Sequence, residues 1–227
     1  MSIQVIKFGG TSIANISRIK NVVSIVEKKI KSTNDKIVLV VSAMSGVTNQ
    51  LVQNYKKINS NIADPEYDVI LSTGEQYSSA LISTILGKKK INSRSVLGWQ
   101  IPVETDRNFS KARIFMINRS FFKKQFVLYD VLVVAGFQGV TNDSRISTLG
   151  RGGSDTSAVA IAYALGLKTC EIFTDVEGIF TSDPRVVKDA RKINSITYEE
   201  ILELASLGSK VLHPDQLISY EYGIKIM

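Results

Sequence analysis

Lys7 stands at the end of a strand-like segment, Ile3-Gln-Val-Ile-Lys-Phe8, and is followed at once by Gly9-Gly10-Thr11-Ser12. Glycine lets backbone N–H groups approach an anion closely, and a helix N-terminus behind such a loop adds a positive dipole. A second small-residue segment, Leu149-Gly-Arg-Gly-Gly-Ser-Asp155, also precedes a helical pattern. Two such cradles could grip a polyphosphate from both sides. Neither is a Walker A loop, because G-x-x-x-x-G-K-[ST] is absent, and no strand is followed by G-x-G-x-x-G. Lys7 is either a surface lysine at a strand end or a point charge for phosphate oxygens. Arg151 offers a planar fork suited to a carboxylate. Glu75, in Ser72-Thr-Gly-Glu75, is either a solvated helical glutamate or an acceptor for a ligand ammonium.

The elements that must carry these residues follow from hydrophobic periodicity. Ile16, Ile19, Val23, Val26 and Ile30 recur at the spacing of an amphipathic helix. Residues 37–41 and 131–135 are continuous apolar runs, as expected of strands buried on both faces. Helices are expected through Val47, Leu51 and Tyr55, over 67–87 with Tyr77, Leu81, Ile85 and Leu86 on one face, over 111–124, 197–206 and 210–222. Residues 94–103 read as short extended segments and 136–153 as a hairpin and loop. Ser154 reads as the N-cap of a helix through Ala158, Ile161, Ala162 and Leu165. Strands follow at 169–174 and 224–226. This alternation predicts one α/β domain, a three-layer α/β/α sandwich with a mostly parallel central sheet. Ligands of such sheets bind beyond the carboxyl ends of the strands. Loops beginning at Gly9, Ser42, Gly136 and Asp175 should therefore share one edge.

Composition narrows the chemistry. The chain has 227 residues, 44% hydrophobic and 22% charged, an ordinary globular balance. One cysteine, Cys170, excludes an intrachain disulfide framework. One histidine, His213, argues against a zinc site, which draws about four ligands mainly from Cys and His. His213 reads as a packing or helix-capping residue, and Cys170 as a buried small apolar one. The net charge of +7 comes largely from lysines at the ends of helical patterns (Lys28-Lys29-Lys31, Lys56-Lys57, Lys88-Lys89-Lys90, Lys123-Lys124), where cations complement the macrodipole. No aromatic residues interleave with them to stack bases, so nucleic acid is not an expected partner. No secretory signal is legible, and no apolar run approaches the roughly 20 residues that span a bilayer. A cytoplasmic protein without a membrane partner is expected.

With these residues in view, the chain resembles aspartate kinases, within the amino-acid kinase family. The matching segments are Lys7-Phe-Gly-Gly-Thr-Ser12, Val41-Ser-Ala-Met-Ser-Gly-Val-Thr-Asn49, Ser72-Thr-Gly-Glu75, Gly136-Phe-Gln-Gly139, Leu149-Gly-Arg-Gly-Gly-Ser-Asp-Thr156, Thr174-Asp-Val-Glu-Gly178, Asp183-Pro-Arg185 and Gly208-Ser-Lys-Val-Leu-His-Pro214. The short interval between Thr48 and Glu75 is similar to that of the monofunctional enzymes.

The resemblance implies transfer of the ATP γ-phosphate to the β-carboxylate of L-aspartate, with Mg²⁺, at the entry to lysine, threonine and methionine synthesis. It implies catalytic roles for Lys7, Asp155 and Lys210. Ser42, Thr48, Glu75, Arg151, Gly152, Gly153 and Ser154 would hold aspartate. Lys7, Phe8, Gly9, Gly10, Thr11, Ser12, Thr174, Asp175, Phe180, Arg185, Lys210 and Val211 would hold the nucleotide. Phe180 stands where the family often has a tyrosine. No protein metal ligand is assigned, Asp155 being the carboxylate to suspect. A homodimer is implied, and a separate regulatory subunit is left open. Family members extend the strand that ends here at Met227 and add ACT regulatory domains; the expectation is a kinase domain over 1–227, cut at its last strand, without feedback inhibition by lysine. Two other readings stand beside it: a kinase of the same fold for glutamate, acetylglutamate or a nucleoside monophosphate, and a nucleotide-binding remnant without turnover.

Overall fold

The computed structural model describes residues 2–173, Asp189 and the backbone of residues 225–226. A six-stranded, wholly parallel sheet has the order β10-β9-β1-β2-β6-β3. Its strands are β1 (Ile3–Phe8), β2 (Lys36–Val41), β3 (Ser93–Val96), β6 (Val131–Ala135), β9 (Thr169–Phe173) and β10 (Lys225–Ile226). Every residue of β2 and of β6 is buried, as their unbroken apolar runs require of central strands covered on both faces. Alternate side chains feed two cores. Ile37, Leu39, Val41, Val131 and Val133 face α1 (Ile16–Thr33) and α3 (Pro65–Lys88). Val38, Val40, Leu132 and Val134 face α5 (Gly153–Ala164), through Ala158, Ile161 and Ala162. Each fully buried valine, leucine or isoleucine contributes roughly 1.5–3 kcal/mol relative to exposure. The three expected layers are therefore present.

Register sets the working edge. Phe8 pairs with Val41 and with Phe173, and Val41 pairs with Ala135. Strand ends thus finish level, and the loops that begin at Gly9, Ser42 and Gly136 emerge side by side. The lysine clusters end helices as expected: Lys31, Lys56, Lys88 and Lys123-Lys124 occupy last turns.

Four expectations need correction. First, residues 111–124 are not one helix. Ile114–Ile117 forms β5, and Asn118 then caps a short α4 (Arg119–Gln125), its side chain accepting from the Ser120 amide at 3.1 Å. Pairing of β5 with β4 (Val103–Thr105) overrides any helical preference of Ile-Phe-Met-Ile. Second, β5 and β4 join β7 (Gln138–Val140) and β8 (Ile146–Thr148) in a separate four-stranded sheet, order β5-β4-β7-β8, that the sandwich reading lacked. The hairpin expected within 136–153 is β7–β8. Third, Ser154 is not the N-cap of α5; Gly152 is, at φ 74°, where the left-handed backbone favours glycine. Fourth, Tyr77 is 58% exposed, and the buried face of α3 instead runs through Leu71, Ser78, Ile82 and Leu86. Gly74 explains this rotation: a Cβ there would stand 2.8 Å from Ala43 Cβ, so the small-residue face of α3 lies directly on the loop after β2.

Candidate active site

The first cradle is built where β1 ends. Gly10 opens a 3₁₀ turn over Gly10–Ile13, and Asn15 then caps α1 by accepting from the Arg18 amide at 3.0 Å. A Cβ on Gly10 would sit 2.6 Å from the Ala43 carbonyl, and the Ser45 amide donates to Gly10 O at 3.2 Å. The loops after β1 and β2 are therefore in direct contact, and only glycine permits it. Gly46, at φ 85°, turns the second loop into α2 (Val47–Lys56), which places Thr48 in its first turn.

Glu75 reaches this loop from α3. Its Oε1 accepts from the Ala43 amide at 2.9 Å, while Oε2 is buried with no hydrogen-bond partner. The residue is 4% exposed, so it is not the solvated helical glutamate of the first alternative. Burial pushes its carboxyl up to about 7, against the pull of the Ala43 amide. Ser78 fixes the neighbouring backbone by donating to Ser42 O at 2.8 Å.

The third loop follows β6. Phe137 adopts φ 69°, an uncommon left-handed conformation for a bulky residue. The hydroxyl of Ser157 accepts from its amide at 3.0 Å and its carbonyl accepts from the Leu149 amide at 2.9 Å, which hold it there. A Cβ on Gly136 would meet Ser154 Cβ at 2.9 Å, and one on Gly153 would meet the Phe137 ring at 2.8 Å. The start of α5 is thus seated on the end of β6.

The loop after β2, the start of α2, Glu75 of α3, Phe137 and the 150–155 segment line an open cavity of about 230 Å³. Ser42, Thr48, Glu75, Arg151, Gly152, Gly153, Ser154 and Asp155 all line it. Every residue expected to hold the amino acid is therefore at one cavity. Asp155, in the first turn of α5, meets Lys7: Nζ lies 2.6 Å from Oδ1, with side-chain exposures of 8% and 15%. Burial pushes the Asp155 carboxyl up, and the Lys7 ammonium opposes that push. Phe8, Gly9 and Gly10 form the cradle on the Lys7 side, with Phe8 stacked on Phe173 at a ring separation of 4.5 Å. Thr11 and Ser12 continue that cradle in the 3₁₀ turn, and the Arg18 guanidinium donates to Thr11 O at 2.9 Å. Thr174, Asp175, Phe180, Arg185, Lys210, Val211 and His213 lie outside the described residues, as do the expected helices over 197–206 and 210–222.

Ala43, Phe137 and Gly150 also line the cavity but were not singled out from the sequence. Phe137 carried the one usable signal, a large side chain between two glycines at a strand exit. Among the described residues no cluster of three His, Cys, Asp or Glu could hold a metal ion by itself. Cys170 is buried, and burial raises its thiol to about 12, consistent with a packing role. No described helix is long and apolar enough to cross a membrane.

The model of the amino acid kinase family matches residues 2–227, and this chain belongs to that family. Among curated relatives it is similar to the aspartokinase of Rickettsia felis, with 46% identity over 233 residues, spanning all of this chain and 58% of that one. It is likewise similar to the aspartokinase of Geobacillus stearothermophilus, with 48% identity over 214 residues, spanning 94% of this chain and 52% of that one. The chain thus spans somewhat over half the length of these relatives. Among solved structures, E. coli aspartokinase III in complex with aspartate and ADP superposes with a TM-score of 0.79 at 28% identity, covering 96% of this chain and 59% of that one. Aspartate kinase from Synechocystis gives a TM-score of 0.78 at 40% identity, covering 100% and 40%. Uridylate kinase from Archaeoglobus fulgidus, at 16% identity and a TM-score of 0.62, shares the fold.

Proposed function

We propose that this chain transfers the γ-phosphoryl group of ATP to the β-carboxylate of L-aspartate, giving 4-phospho-L-aspartate. One observation carries the reading: Glu75, with an unpartnered, buried carboxylate oxygen (Oε2), and Arg151 line one small cavity, beside a lysine–aspartate pair at the mouth of a glycine cradle. An α-amino acid offers an ammonium and a carboxylate, and this cavity offers a partner for each. The aspartokinase relatives and the aspartate- and ADP-bound neighbour support the same reading.

The division of labour follows from charge. Aspartate's side chain ionises near pH 3.9, so at neutral pH it is already an anionic nucleophile and needs no general base. The obstacle is repulsion between that carboxylate and a triphosphate. Catalysis is then positioning plus neutralisation of the transferring group. Glu75 takes the α-ammonium, Arg151 the α-carboxylate, and Thr48 and Ser42 donate hydroxyls to the amino acid. The N-terminal turn of α5, through Gly152, Gly153 and Ser154, brings the positive end of its dipole to the cavity. Lys7 places a cation on the transferring phosphate, and Asp155 holds that ammonium in place. Gly9, Gly10 and the Thr11-Ser12 turn supply backbone N–H groups to the phosphates. Asp155 is the carboxylate at the site that would help hold Mg²⁺ together with the nucleotide, and the bound ion would supply further neutralisation of phosphate charge. The assignments of Lys210, Thr174, Asp175, Phe180, Arg185 and Val211 to the nucleotide, and of a homodimer to the assembly, form part of the proposal and rest on the resemblance alone; a cytoplasmic location is part of it too and rests on the sequence composition.

The test is ADP release by the purified chain with ATP, Mg²⁺ and L-aspartate, compared with glutamate, acetylglutamate and uridine monophosphate as acceptors. Turnover with aspartate well above the others supports the reading. Nucleotide binding without aspartate-dependent turnover refutes it in favour of a binding remnant.

A further inference from the structure

We propose that Asp68 is a positioning residue for the amino-acid cavity: its carboxylate ties the helix that carries Glu75 to the loop that carries Arg151, and so sets the spacing of the two groups that face the ligand's charges. This rests on the aspartate reading above and names a residue outside the cavity lining.

Asp68 lies in α3 seven residues before Glu75, about two turns and roughly 10 Å along the same face. It is wholly buried. Its Oδ2 accepts from the Thr148 amide at 2.6 Å and its Oδ1 from the Thr148 hydroxyl at 2.9 Å. The Ser110 amide donates to both oxygens, at 2.9 and 3.0 Å. Among the described residues no cation pairs with it. A carboxylate buried among neutral donors is costly unless those bonds are well made, and an apolar side chain could fill the same space more cheaply. What the carboxylate adds is direction: it specifies where two backbone amides must point.

Both amides belong to the junction that launches the 149–155 loop. Thr148 ends β8. Its amide is held by Asp68 and its carbonyl accepts from Ala112 at 2.9 Å. The next residues turn through Gly150 at φ 76° and Gly152 at φ 74° into α5. Thr148 is thus a fixed point just before the residues that line the cavity. Ser110 holds the other side of the junction. It adopts φ 68°, a conformation a non-glycine residue adopts at some cost, and in it the amide meets the carboxylate while a Cβ on Gly150 would stand 3.0 Å from the Ser110 carbonyl. The further bond from Gln138 Nε2 to Ser72 O ties α3 to β7, not to this junction.

The experiment uses Asp68→Asn and Thr148→Val in this chain, with steady-state kinetics and amide NMR. Asn keeps one acceptor and turns an N–H toward a donor; Val removes only the hydroxyl donor. Asp68→Asn is expected to raise the aspartate KM at least about tenfold while the ATP KM stays within about twofold, because only the amino-acid side of the site is displaced. Thr148→Val should raise the aspartate KM by about threefold. Gly150, Arg151 and Gly152 amide resonances should shift in both variants, with those of Gly9 and Gly10 unmoved. A lowered melting temperature with both KM values and the loop amides unchanged would make Asp68 a packing residue and overturn the assignment. If Asp68→Asn does not fold, an unchanged aspartate KM and unshifted loop amides in Thr148→Val overturn it equally. If the unsubstituted chain shows no aspartate-dependent turnover, the aspartate reading itself fails, and the loop amides alone decide whether Asp68 positions the loop.

Discussion

Lys7 and Asp155 belong to opposite sides of one junction: the lysine is the penultimate residue of β1, the aspartate sits in the first turn of α5, and 2.6 Å separates ammonium from carboxylate. The pair ties the end of β1, beside Gly9 and Gly10, to the start of α5 that lines the cavity. Removing one member leaves the other buried without its partner. Lys7→Met is therefore expected to destabilise the fold by about 3 kcal/mol, and Lys7→Met with Asp155→Asn by distinctly less. Urea unfolding of the single and double variants measures this. Turnover should fall about 10²–10³-fold in Lys7→Met even where the fold survives, since a cation aimed at developing charge is lost.

Glu75 makes the site pH-dependent in two opposite ways. Its folded carboxyl titrates near 7, above the ordinary 4.5. A raised carboxyl contributes stability at low pH that is lost as pH rises through that value. The unliganded chain should thus lose about 3 kcal/mol between roughly pH 4.5 and 7 from this group. Ligand affinity runs the other way, because an ammonium needs the ionised form: aspartate should bind more tightly at pH 8 than at pH 6. Calorimetry in buffers of different ionisation enthalpy should show a proton released on binding at pH 6. In Glu75→Gln both the proton release and the Glu75 part of the stability slope should vanish.

Arg151 tests the fork geometry. Arg151→Lys keeps the charge and discards the paired donors that match a carboxylate. The aspartate KM should rise about tenfold, equivalent to about 1.4 kcal/mol, with the ATP KM unchanged. A rise confined to the ATP KM would place Arg151 on the nucleotide instead, and equal rises for both substrates would deny it a specific hold on aspartate.

Much of this was legible in the sequence because the working edge is marked by small residues at strand ends. The runs 37–41 and 131–135 announce central strands, and each leads into a loop of glycines and hydroxyls. The features that escaped did so for equally physical reasons. Around its middle the buried face of α3 is made of small residues, Gly74, Ser78 and Ser79, between Leu71 and Ile82, so spacing of large apolar side chains alone points to Tyr77, which is exposed. β5 escaped because Ile114-Phe-Met-Ile117 carries no helix–strand signature of its own, and its state is set by pairing with β4. Asp68 escaped because a carboxylate near a helix start looks like a dipole partner, whereas its donors come from residues 42 and 80 positions away.

Gly10 is a steric prediction. Its missing Cβ lies 2.6 Å from a backbone oxygen that cannot swing aside. Gly10→Ala must part the loops after β1 and β2, at a cost of roughly 1–3 kcal/mol. Displacing the cradle should raise the ATP KM about tenfold with a smaller effect on aspartate. Thermal melts and initial rates together measure both.

The most direct measurement traps the product. With ATP, Mg²⁺, L-aspartate and hydroxylamine, an acyl phosphate formed at the side chain is captured as aspartate β-hydroxamate, identifiable by mass and fragmentation. β-Hydroxamate is expected in step with ADP release, and none from Lys7→Met above background. ADP release without hydroxamate, or hydroxamate from glutamate at the same rate, would contradict the aspartate reading.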